Sequence, residues 1–228
     1  MNHVVMLANS ADKQIYQMTM AAISSVRAAL GNGDDITLVE TNANLRNEPW
    51  YTLPYTVDRL LFKTPFNYNA AVQFALKDLD RNPSDFFTLL NNDVIAFRDS
   101  LWFMEKALLA EYGVVSAWSA TTLVQQSFTC DVEGYRAGHT FSGWAWMTTF
   151  KVIDRIGVEN LFPEELAFWY QDNFLLDVFQ KNRIRHALIR KARIDHLESR
   201  SHRLLDDHAA ATVGQHSVYE SVRRKHGI

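Results

Sequence analysis

The chain has 228 residues, 47% of them hydrophobic and 21% charged, and a formal net charge of −3. That size and apolar share exclude a disordered chain and suit one good-sized domain with a full core. The one cysteine, Cys130, excludes an internal disulfide and fits a reducing compartment. The start MNHVVMLANSADK carries no basic leader or small-residue cleavage site, and no apolar run nears the ~20 residues that span a bilayer, so a cytoplasmic protein is expected.

In chain order, HVVMLA (3–8) reads as a strand and residues 12–30 as an amphipathic helix ended by GNG. DITLVE (35–40) is a second strand, and NAAVQFALKDLD (69–80) is a helix stopped at Asn82-Pro83. Phe86, Phe87, Thr88, Leu89 and Leu90 form an apolar run of the kind buried on both faces of a parallel sheet. A helix over 100–111 and a strand at GVVSAW (113–118) follow. Strands alternating with helices predict an α/β fold, with a mostly parallel sheet flanked by helices on both faces. Beyond this point the rhythm changes. HTFSGWAWMTTF (139–150) suggests an edge strand or pocket wall, and PEELAFWYQDNFLLDVFQKN (163–182) a helix. RIRHALI and ARIDHL suggest two short strands, with a polar loop and a basic terminal helix after them. No repeat or linker divides the chain, so 1–228 is one domain, organised as 1–98, 99–202 and a basic segment 203–228.

Three places carry more polarity than packing needs. The apolar strand runs directly into Asn91, Asn92 and Asp93, and in open α/β sheets ligands bind beyond the carboxyl ends of the strands. Asp172 falls on the same predicted helix face as Phe168, Trp169, Leu175 and Leu176. A carboxylate there is costly unless paired or at the rim of a cavity, and apolar walls would raise its pKa toward that of a general base. His196 ends a short strand beside Ser199, Ser201 and His202. The commonplace readings are a helix-edge aspartate with a structural partner and a hydrogen-bonded surface histidine. HExxH, CxxC, GxxxxGK[ST], GxGxxG and GxSxG are all missing, which argues against a zinc site, a P-loop, a dinucleotide fold and a hydrolase elbow. Asp93 with two asparagines is oxygen-rich and suits Mg²⁺ or Mn²⁺ held jointly with phosphates. Charge is also uneven: residues 1–180 carry 12 Lys/Arg against 21 Asp/Glu, whereas 181–228 carry 11 against 5. A solvated basic tail and a basic segment closing over phosphates both fit that balance.

The order of these features resembles the inverting nucleotide-sugar glycosyltransferases of the GT-A fold, of the rhamnosyl- and glucosyltransferase-like, family 2 type. LVETNAN ends the second strand, PFNYNAAVQFAL matches an asparagine-rich stretch, and LLNNDV matches the Asp-x-Asp-like element. FSGWAWMTT, RIGVENLFPEE and WYQDNFLLDVFQKN follow in the family's order, and HLESRS fits its H-x-x-S-x-S letter for letter. The likeness covers about residues 3–202. Two departures stand out: the family's Glu-Asp pair is Gln171-Asp172, and its glycines near Phe66–Ala70 are replaced.

The resemblance implies that Asp93, with His196, holds Mn²⁺ or Mg²⁺ on the donor diphosphate. It implies donor contacts from Asn9, Glu40, Asn42, Asn69 and Asn92, acceptor contacts from Trp144, Trp169 and Gln171, and Asp172 as the base. The implied partners are a nucleotide-diphosphate sugar and an acceptor that is a glycan, a lipid-linked sugar, a small molecule or a nucleic acid. Rival readings are a nucleotidyltransferase, disfavoured because LANSADKQ has no Gly/Lys-rich phosphate loop, and a binding module without turnover, favoured by Gln171.

Overall fold

A computed structural model describes every residue except 55, 168–169 and 198–207, and for 208–213 the backbone alone. Strand β1 (Asn2–Ala8) leads through α1 (Lys13–Ala29) to β2 (Asp35–Glu40) and β3 (Arg59–Phe62). Helix α2 (Tyr68–Asp78) precedes β4 (Phe86–Asn91) and the short β5 (Val94–Ala96). The second half runs α3 (Ser100–Ala110), β6 (Val114–Trp118), α4 (Leu123–Gln126), β7 (Val132–Glu133) and β8 (Ala145–Thr149). It ends with α5 (Phe150–Ile156), α6 (Val158–Leu161), α7 (Gln171–Lys181), β9 (His186–His196) and α8 (His208–Lys225).

The strands form one sheet in the order β3-β2-β1-β4-β8-β6-β9-β5, with β7 also on β9. Strands β1 to β4 run parallel, and β8 runs against both β4 and β6, so β6 and β9 share the direction of the first four. The sheet is therefore mostly parallel, as the alternation of elements predicts.

Period-two alternation sends side chains to two cores. Val4, Met6 and Ala8 pack with Ala22, Ile23 and Val26 of α1 and with Leu101 and Met104 of α3. Val5 and Leu7 face the other way, toward Ala71, Val72 and Ala75 of α2 and Phe174 and Val178 of α7. Burial on both faces is why β1 and β4 read as continuous apolar runs. Phe87 is fully buried among the rings of Trp146, Phe150 and Phe162. Helix α1 starts where the Asp12 side chain accepts from the Ile15 N–H at 2.8 Å, a capping bond worth ~1 kcal/mol. Among the described residues no helix is long and apolar enough to cross a membrane.

Three expectations need correction. The helix expected over 163–182 begins only at Gln171, after Tyr170 adopts the left-handed region at φ 68°. The carbonyls of Phe162, Pro163 and Glu164 accept instead from Gln73, Asn69 and Asn67 of the α2 region, and that of Ala167 accepts from the Tyr68 N–H. Groups bonded to another element are no longer available to a helical ladder. Asp172 thus sits in the first turn of α7, not mid-helix. Second, 139–150 supplies no edge strand, because β8 lies between β4 and β6 in the middle of the sheet. Third, the two strands expected after residue 182 are one long strand, β9, whose pairing with β6 slips between Ala117 and Trp118.

Candidate functional site

The carboxyl ends of β1, β2 and β4, the start of β8, the end of β9 and the start of α7 meet at one margin of the sheet. At β2 the last residue, Glu40, is fully buried. Its Oε1 accepts from the N–H groups of Ser10, Thr41 and Asn42 at 2.8–3.0 Å. Burial pushes its carboxyl up, while those donors pull it down. Asn42 donates to the Ser10 carbonyl at 2.7 Å and accepts from the Asn44 N–H. Glu40 and Asn42 therefore hold the β1–α1 and β2 turns together. Asn9, beside them, is partly exposed, and its side chain has no hydrogen-bond partner among the described residues.

Along Asn91-Asn92-Asp93 the alternation sorts the three residues. Asn92 turns toward α1, where its amide donates to Thr19 Oγ1 at 2.8 Å, both groups buried. Asn91 and Asp93 share the opposite side. Asn91 fixes its backbone by donating its N–H to the Trp144 carbonyl at 2.9 Å, and its side chain is unbonded among the described residues. Asp93 is 2% exposed. Its carbonyl accepts from the Leu197 N–H, and β5 pairs Val94 with His196, which brings the histidine alongside. Asp93 Oδ1 lies 3.2 Å from His196 Nε2, yet neither atom has a hydrogen-bond partner of good geometry among the described residues. The imidazole is flattened against Trp144, ring centroids 4.9 Å apart and planes 5° from parallel. The period-two rule alone would have set the side chain of Asn91 apart from that of Asn92.

Asp93 and His196 fit a divalent cation. Two neighbouring ligands on an octahedral ion with bonds of ~2.1 Å sit roughly 3 Å apart, the separation these two orphaned atoms already have. Among the described residues no group of three or more His, Cys, Asp or Glu converges on a metal position. Such a cation would take its remaining ligands from phosphate oxygens and water, as Mg²⁺ commonly does.

Asp172 stands at the first turn of α7, where the helix dipole favours a carboxylate. Its side chain accepts from the Gly143 N–H. It keeps some of its surface in solvent, yet crowding by protein pushes it up to about 6, against the pull of the Gly143 N–H and the charge of His196. Tyr68 shares this pocket. Burial, and then the Asp172 charge, push its phenol upward, so it remains a neutral O–H donor. Sequence reasoning missed Tyr68 and Gly143. The first lies inside the PFNYNAA stretch and the second inside FSGW, so position in a motif was a signal without an assigned role.

Other expected contacts are used structurally. Asn69, 1% exposed, donates to the Pro163 carbonyl, and Gln171 donates to the Leu166 carbonyl at 3.1 Å. Both hold the 163–167 turn in place. Trp169, and HLESRS beyond Leu197, lie outside the described residues. Four of the eleven Lys and Arg after residue 180 form ion pairs among the described residues. Arg185 meets Glu111 and Glu133, Arg193 meets Asp195, Arg223 meets Asp177, and Lys225 meets Glu165. That pairing weakens the case for a phosphate-tracking tail and a nucleic-acid acceptor.

No family model and no curated protein matches the chain. Fold and site margin together define an α/β protein with a mostly parallel sheet flanked by helices. Among solved structures with this fold is HddC from Yersinia pseudotuberculosis, with a TM-score of 0.51 over 88% of this chain and 96% of that one. At 12% identity the likeness is one of fold alone.

Proposed function

We propose that this chain is a metal-assisted inverting glycosyltransferase that uses a nucleotide-diphosphate sugar. The observation that supports it most is the occurrence of two different acidic environments at one sheet margin. Asp93, with His196, offers ligand atoms that have no other partner among the described residues, whereas Asp172 is a lone carboxylate pushed up to about 6. Carboxylates set in such unlike surroundings take different tasks.

When bound, the cation neutralises the charge that gathers on the departing diphosphate. Asp172 takes the proton of the acceptor hydroxyl as its oxygen bonds to the anomeric carbon. The bond from that carbon to the diphosphate oxygen breaks, and its electron pair leaves with the nucleotide. A base of pKa about 6 is ionised at neutral pH and still basic enough for such a transfer, worth ~10²–10⁴-fold. No second carboxylate joins Asp172 as a nucleophile in this reading, so a single displacement with inversion follows. Asn91 and Asn9 supply free polar side chains for the nucleoside or the sugar.

The test is thermal unfolding with a panel of nucleoside diphosphates and their sugars, each with Mn²⁺ or EDTA. A ligand that binds only the native state raises its stability by mass action. A metal-dependent rise for one nucleotide that vanishes in Asp93→Asn, with sugar transfer lost in Asp172→Asn, supports the reading. No rise with any of them sinks it.

A further inference from the structure

A polar cleft of about 350 Å³ runs beside α7, walled by the β7–β8 loop and closed by Tyr219 of α8. On α7, Asn173, Leu176, Asp177 and Gln180 line it at spacings of three and four, so they occupy one helix face. From Asn173, the residue after Asp172, to Gln180 is roughly 10 Å at the rise of an α-helix. Asp172 does not line the cleft: it precedes Asn173 in the chain but points about 100° away round the helix, so the cleft starts beside the proposed base on the neighbouring helix face.

Two of its tyrosines and the backbone of its loop are held by hydrogen bonds, and several of its polar groups are idle. The hydroxyl of Tyr135 donates to the Ile184 carbonyl, which locks a ring that remains 39% exposed. Tyr219 donates to Asp177 at 2.6 Å, and Arg223 lies 2.9 Å from the same carboxylate, so the one acid in the cleft is already neutralised. The loop is pinned at Arg136, whose carbonyl accepts from Thr140 and whose N–H donates to Thr140 Oγ1, both at 2.9 Å. Yet the Arg136 guanidinium and the side-chain amides of Asn173 and Gln180 are exposed and have no partner among the described residues. His139 adds an imidazole with no hydrogen-bond partner among them.

A fixed tyrosine face, two planar amides, an imidazole and one uncompensated guanidinium suit a ligand of particular chemistry. Sugar rings offer C–H faces to an aromatic plane and paired hydroxyls to amides, and a carboxylate meets guanidinium in a two-pronged fashion. The two tyrosines, held before binding, lose little freedom when a ligand arrives. We infer that this cleft is an acceptor subsite for an oligosaccharide bearing an acidic substituent, the uronic carboxylate falling to Arg136. The acceptor role rests on the transfer reading above.

The experiment is NMR of the full chain, following the side-chain amides of Asn173 and Gln180 and the Nε–H of Arg136. The probes are uronic-acid disaccharides, their methyl esters and the matching neutral disaccharides. Expected are shifts at these groups with an acid disaccharide, about tenfold weaker binding by its ester, and a similar loss in Arg136→Gln. Arg136→Gln changes an exposed side chain without a partner among the described residues, so its melting temperature should match the parent. Shifts confined to the Asp93–His196 margin, equal binding of acid and ester, or no shift with any probe at ~10 mM, a concentration that would reveal even millimolar affinity, would overturn the subsite. The nucleotide panel separates the two readings. A nucleotide rise without saccharide shifts removes the subsite alone, whereas saccharide shifts without any nucleotide rise keep the cleft as a saccharide-binding site and remove glycosyl transfer and the acceptor role with it.

Discussion

Gly143 and Asp172 meet at a distance that admits no side chain at residue 143: a Cβ there would lie 1.9 Å from Asp172 Oδ1 and 2.2 Å from its Cγ. The same glycine supplies the N–H that holds the carboxylate. Gly143→Ala must therefore swing Asp172 out of position while leaving the Asp93–His196 pair untouched. The expected result is a loss of sugar transfer of about 100-fold or more, within the range of a displaced general base. The metal-dependent nucleotide stabilisation should stay. Transfer at the parental rate in Gly143→Ala would remove Asp172 from the mechanism.

Protonation of Asp172 is also coupled to folding stability. Its pKa is raised from 3.8 to about 6 in the folded chain, so the native state holds a proton that the unfolded chain releases between those values. Stability from this group is fully present below pH 3.8 and is lost as pH rises through about 6. Asp172→Asn, which can still accept from Gly143, should raise stability at neutral pH by about 1–3 kcal/mol and leave it unchanged below the pKa of the unfolded carboxyl. Melting curves of both proteins across pH check the sign. In the parent, transfer should fall as pH drops through about 6, because the base is then protonated.

Glu40 organises the turns after β1 and β2 from within. Removing its carboxylate in Glu40→Ala leaves the N–H groups of Ser10, Thr41 and Asn42 without their shared acceptor. Unpaired buried donors cost about 1–3 kcal/mol each, less whatever water recovers, so a net loss of about 3 kcal/mol is expected. In a chain of 228 residues that lowers the melting temperature by roughly 6–12 °C. A change under ~2 °C would show that the turn holds without it.

The sequence displayed the frame because the frame rests on periodicity. Val4 to Ala8, Ile36 to Val39 and Phe87 to Leu90 are apolar apart from Thr37 and Thr88, as suits strands covered by helices on both faces. DITLVE matches β2 residue for residue. What stayed hidden depends on partners distant in sequence. Pro163 and its neighbours looked helical until the side chains of Asn67, Asn69 and Gln73 claimed their carbonyls from about ninety residues away. β3 and β5 were invisible because each is short and paired along one edge only. At the site, Asp93, His196 and Asp172 were legible as misplaced polarity. Asn92 was assigned by adjacency where the pleat should have decided, and Gly143 matters only through a contact that no local pattern records.

Asn91 and Asn92 give the sharpest separation between ligand binding and architecture. The Asn92 amide and Thr19 hydroxyl are buried together, so Asn92→Ala should cost about 1 kcal/mol of stability by removing their bond, while Thr19 still donates to the Ile15 carbonyl. Nucleotide affinity, measured below the melting transition, should hardly change, since that side chain faces α1. Asn91→Ala should do the reverse: its side chain is bonded to nothing among the described residues, so the fold loses little. A nucleotide or sugar that bonds to this amide would bind about 5- to 10-fold more weakly, the equivalent of one ordinary hydrogen bond. Equal nucleotide affinity in both variants would place the donor away from the β4 end, and a loss confined to Asn92→Ala would reverse the pleat assignment.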